Sequence, residues 1–140
     1  MTKRLLIDVN VVLDVLLERQ PHAAASAALW ARLEKGGGEG LLPAHAVTTI
    51  YYLAERARGA SFAQRTVSDL LSVFRVAGVD EKIIRQALGL GWGDFEDAVC
   101  AACAAAEGCD AIVTRDPAGF RGAPVPVVDP ATATAWLIET

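Results

Sequence analysis

Four aspartates stand where a folded chain could bring them to one place. Asp8 closes the apolar run Leu5-Leu6-Ile7, and Asp116 follows the run Ala111-Ile112-Val113-Thr114 after one arginine. Asp94 and Asp97 open an alanine-rich stretch at i, i+3 spacing, which puts both on one helical face. Clustered carboxylates cannot all stay ionised side by side; they raise one another's pKa or bind a hard divalent cation. Oxygen-only ligation favours magnesium or manganese over zinc. A site of that kind leaves an acidic chain able to take up phosphate.

Each acid also has a plainer use. Asp94 and Asp97 fit the N-cap and N3 positions of a helix, where carboxylates satisfy free amides and the dipole. Asp116 before Pro117 is an ordinary turn residue. Asn10 suits the cap of the helix that follows Asp8. Asp8 is the hardest to assign to structure alone, because an apolar strand ending in Asp-x-Asn is uneconomical unless that rim is used.

The elements that must position these residues alternate. The pattern predicts a strand at Leu5–Ile7 and a helix through Val11–Leu17. A helix over 22–34 follows, ended by Gly36-Gly37-Gly38, then a strand at 40–43 and a helix over 44–58. Gly59 stops that helix, and Ser61 is expected to cap the next, which ends near Phe74. A strand at 76–79, helices from Asp80 and Asp94, strands at 111–114 and 125–128, and a terminal helix over 130–138 complete the chain. Strands alternating with helices imply a largely parallel sheet of four to five strands, covered on both faces. In such sheets ligands bind beyond the carboxyl ends of the strands. If the first and fourth strands are neighbours, the four aspartates meet there.

The length of 140 residues fits a single domain over 1–140. No apolar stretch reaches spanning length, and Met1-Thr2-Lys3-Arg4 runs straight into the first strand, so neither membrane nor export is expected and the cytoplasm is. The net charge of −4 argues against a generic polyanion binder, short of a metal-filled acidic site. Cys100, Cys103 and Cys109 lack the paired spacing of a zinc site, with His22 and His45 far off in sequence; they read as small buried apolar residues.

The segments Leu5-Leu6-Ile7-Asp8-Val9-Asn10-Val11-Val12-Leu13-Asp14, Asp94-Phe95-Glu96-Asp97-Ala98 and Ile112-Val113-Thr114-Arg115-Asp116, in that order, resemble the PIN domain of VapC-type toxins, in particular a subset carrying Asp-Phe-Glu-Asp. The resemblance covers essentially the whole chain. It implies a three-layer α/β/α fold and a Mg²⁺- or Mn²⁺-dependent ribonuclease that leaves 3′-hydroxyl and 5′-phosphate ends. Asp8, Asp97 and Asp116 match the metal-binding acids, and Asp94 an additional one. Asn10 matches the polar residue that orients the first acid, and Thr114 the hydroxyl at the end of the fourth strand. Arg115, beside the site, is a candidate for steering the RNA backbone, and Arg121 a further one. A small antitoxin and a second copy of the chain are the implied protein partners. Leu29, Trp30, Leu33, Tyr51 and Tyr52 are candidates for that face, with core packing as the default.

One position departs from the family. Its third helix usually carries a glutamate where this chain has Thr49; Glu55, six residues on, lies about 240° further around the helix and reads as solvent-facing. The departure keeps open a PIN-like module that binds RNA or protein with weakened catalysis. A haloacid-dehalogenase-type phosphotransferase also uses a strand ending in Asp-x-Asp, but Asn10 cannot serve as its acid.

Overall fold

Successive residues of a strand point to opposite faces, and in β1 (Arg4–Ile7) both faces are buried. Leu5 and Ile7 join one apolar cluster and Leu6 the other. The same split runs through β2 (Glu39–Pro43), with Leu42 against Leu41, and β4 (Ala111–Val113), with Ala111 and Val113 against Ile112. Together with β3 (Phe74–Ala77) and β5 (Val127–Val128) these form a five-stranded, wholly parallel sheet in the order β3-β2-β1-β4-β5. The computed structural model describes residues 2–139.

One face is covered by α1 (Val9–Leu16), α2 (Ala23–Glu34), α3 (Ala44–Arg58), α4 (Ala60–Val73) and α7 (Pro130–Glu139). The other is covered by α5 (Glu81–Leu90) and α6 (Phe95–Ala106). This is the expected three-layer α/β/α arrangement. In α6, Ala98 through Ala104 are all buried, and their small side chains let the helix lie close on Leu6, Leu41 and Ile112. Cys100, Cys103 and Cys109 are buried, as anticipated. No helix among the described residues is long and apolar enough to cross a membrane.

Three local expectations are corrected. Ser61 does not cap α4; Gly59, at φ 90°, makes the break from α3 and stands at the cap itself. Only glycine adopts that backbone cheaply. The third strand begins at Phe74 rather than Val76, because Phe74 turns inward and meets the Trp30 ring edge-on, centroids 5.2 Å apart. Of the apolar residues reserved for a partner face, Leu29 and Leu33 are core, whereas Tyr52 is 54 % exposed.

Candidate active site

The chain runs outward from β1 through β2 to β3, then returns to lay β4 on the other side of β1. That reversal opens a crevice at the carboxyl ends of β1 and β4. The Asp8 amide donates to the Val113 carbonyl at 2.9 Å, extending the ladder by one residue, so Asp8 and Thr114 emerge side by side. The Thr114 hydroxyl, fully buried, donates to Asp8 Oδ2 at 2.9 Å and accepts from the Asp116 amide at 3.1 Å. Asp8 occupies the N-cap of α1 by backbone, yet its side chain makes no cap bond.

Asp94 is the N-cap of α6, its Oδ1 accepting from the Asp97 amide at 3.1 Å. The capping role read from sequence therefore holds, and Asp94 also lines the crevice. With it are Asp8, Asn10, Asp97, Glu96, His45 and Cys100 around a space of about 100 Å³. That is room for roughly three waters, far below a nucleotide pocket, and suits an ion with part of its hydration shell. Asp116 sits at the exposed rim, outside this lining. Gly119, in the 3₁₀ turn Pro117–Phe120, separates it from Asp97: a Cβ there would lie 3.4 Å from Asp97 Oδ2 and 3.5 Å from Asp116 Oδ2.

The electrostatics follow. Burial, then the negative charges of Asp8, Asp94 and Asp116, push the Asp97 carboxyl up to about 7. Burial also raises Asp8, against the opposing pull of the Thr114 hydroxyl and the Val9 amide. Among the described residues, no three His, Cys, Asp or Glu side chains stand close enough to hold a metal ion as they are.

Two supporting assignments change, those of Asn10 and Thr49. Asn10 is not the residue that orients Asp8; its Oδ1 faces Arg19 Nη1 at 3.5 Å, and Thr114 does the orienting. Nor does Asn10 cap α1, since it lies inside it. Thr49 is outside the crevice lining, its hydroxyl donating to the His45 carbonyl at 3.4 Å. Arg115 is held from beneath, its Nε 3.4 Å from Oδ2 of Asp14, a fully buried carboxylate that also has Arg19 Nη1 at 4.0 Å. Glu55 is exposed, as anticipated.

Sequence reasoning passed over His45, Glu96, Gly119 and Asp14. For Asp14 the signal was present: one acid in the apolar run Val11–Leu17, followed five residues on by Arg19. For His45 it was positional, since a helix starting at the end of β2 starts at the rim where β1 ends.

The family model described as PIN domain matches residues 4–118. No curated protein matches the chain by sequence. Several solved structures share the fold. A DNA-bound VapBC complex from Salmonella typhimurium aligns at TM-score 0.71 and 16% identity, covering 93% of this chain and 99% of that one. A toxin–antitoxin complex from Klebsiella pneumoniae aligns at 0.69 and 21%, covering 89% and 96%. VapC20 of Mycobacterium tuberculosis, a toxin that cleaves the sarcin–ricin loop, aligns at 0.64 and 18%, covering 77% and 86%.

Proposed function

The chain belongs to the PIN domain family, and from that premise we propose that it is a divalent-metal-dependent endoribonuclease, the toxin of a toxin–antitoxin pair. Residues 1–140 form one catalytic domain, with Asp8, Asp94, Asp97 and Asp116 binding Mg²⁺ or Mn²⁺. The observation that carries the proposal is the meeting of Asp8, Asp94 and Asp97 in one crevice, with Asp116 across Gly119 from Asp97; burial and these neighbouring acids push the Asp97 carboxyl up to about 7. Such a cluster fits a cation in charge and donor type: it is short of positive charge, and drawing the carboxylates inward on an ion relieves the repulsion. When bound, the ion would lower the pKa of a water and offset charge on the scissile phosphate.

The chain's own residues do the rest. The Thr114 hydroxyl fixes the Asp8 carboxylate and ties it to the Asp116 backbone. The bond from the Asp97 amide to Asp94 ties Asp97 to Asp94 at the head of α6. Asp14 holds Arg115 beside the rim, where a guanidinium suits a backbone phosphate. The proposed activity is a cytoplasmic one, and no described helix is long and apolar enough to cross a membrane. The toxin–antitoxin complexes that share the fold support a cognate antitoxin as partner. A second copy of the chain is the other, with Tyr52 of α3 and Leu71 of α4 as exposed apolar anchors.

The test is cleavage of RNA with Mg²⁺, with a chelator, and with Asp8→Asn. The proposal expects both the chelator and the substitution to abolish cleavage; cleavage that survives both overturns it. The withdrawal of Thr49 and the open spacing of the acids favour a second reading, an RNA- or protein-binding module with weakened catalysis. That reading expects no specific Mn²⁺ binding.

A further inference from the structure

Family resemblance leaves a gap on α3, where Thr49 stands in place of a glutamate. The structure has a different donor on that wall. His45 lies four residues before Thr49, so it shares the helix face to within about 40° and sits roughly 6 Å nearer the amino end. Side chains on a helix tilt toward that end, and the amino end of α3 is the one at the crevice. His45 accordingly lines it together with Asp8 and Asp97, while Thr49 does not. Its Nδ1 is buried without a hydrogen-bond partner. A buried imidazole nitrogen left unmatched is costly in a finished structure and is the group a missing ion would satisfy. Glu96 also lines the crevice and acts electrostatically on the ring.

We propose that His45 replaces the absent α3 carboxylate, drawing in together with Asp8 and Asp97 across the crevice they line to ligate a divalent ion through a ring nitrogen. The inference rests on the metal-binding reading above and adds a nitrogen to an otherwise all-oxygen set. Imidazole is a softer donor than carboxylate, so the site then favours Mn²⁺ over Mg²⁺.

The test uses the full chain, freed of metal and loaded with Mn²⁺ alone. Electron spin-echo envelope modulation reads ¹⁴N coupling to the bound ion, and the free-Mn²⁺ signal reads affinity. The chain has two histidines, which makes the assignment direct. Expected are imidazole-type modulation in the wild type and in His22→Ala, and its loss in His45→Ala with affinity reduced at least about tenfold. His45→Glu, which restores a donor at the same position, recovers affinity without the modulation. Mn²⁺ bound by the wild type with no nitrogen coupling, or coupling that persists in His45→Ala, overturns the assignment of His45 and leaves the carboxylate site standing. A wild type that binds no Mn²⁺ overturns both.

Discussion

Thr114 gives the Asp8 carboxylate its orientation, and no larger or purely apolar side chain can do so. Thr114→Val keeps the shape and removes the hydroxyl that bridges Asp8 to the Asp116 amide. The buried Asp8 carboxylate and the part-buried Asp116 amide then lose a partner, a cost of about 1–3 kcal/mol that urea unfolding measures. RNA cleavage falls with it, by roughly 10–100-fold if Thr114 acts as residues behind metal ligands do. Asp14 is a second case. Arg115→Ala leaves a fully buried carboxylate with only Arg19 at 4.0 Å, so it should destabilise the fold by about 3 kcal/mol as well as weaken RNA binding. Loss of RNA binding at unchanged stability would make Arg115 a surface residue after all. At this scale the sequence was legible for residues at the ends of elements, where an acid after an apolar run stands out. Asp14 and His45 lie within helices, and their importance comes from residues that only the folded chain brings alongside.

The element that sets the site's geometry is α6, since both Asp94 and Asp97 ride on its first turn. Its seven consecutive buried small residues fix how near that turn comes to β1 and β4. Ala101→Leu puts three extra carbons into a position with no exposed surface, expected to cost about 1–3 kcal/mol and to push the amino end of α6 off the crevice. Chemical unfolding and Mn²⁺ affinity should therefore fall together. Strands and helices were readable because β1, β2 and β4 are apolar on both faces, which only a covered parallel sheet explains. The third strand was misplaced by two residues because Phe74 reads equally well as the last turn of α4. Its contact with Trp30, 44 positions earlier, decides the matter, and no local pattern carries that.

Taken whole, the molecule carries its stress in the acidic crevice. Asp97 ionises at about 7 when folded against an ordinary 3.8, so the fold favours its protonated form. That contribution is complete below pH 3.8 and is lost as pH rises through 7. Without metal the chain should therefore unfold at lower temperature at pH 8 than at pH 5. Solvent screening at this half-open site holds the effect to on the order of 1 kcal/mol, a few degrees in Tm. Asp97→Asn should remove most of that slope, and thermal melts followed by circular dichroism check it. The central claim, that the aspartates share a cation, is tested most directly by calorimetric titration of Mn²⁺ at pH 7 in two buffers of different ionisation enthalpy. The account predicts saturable binding, accompanied by proton release as Asp97 is forced to ionise, and its loss in Asp8→Asn. No saturable binding, or equal binding by Asp8→Asn, would contradict it.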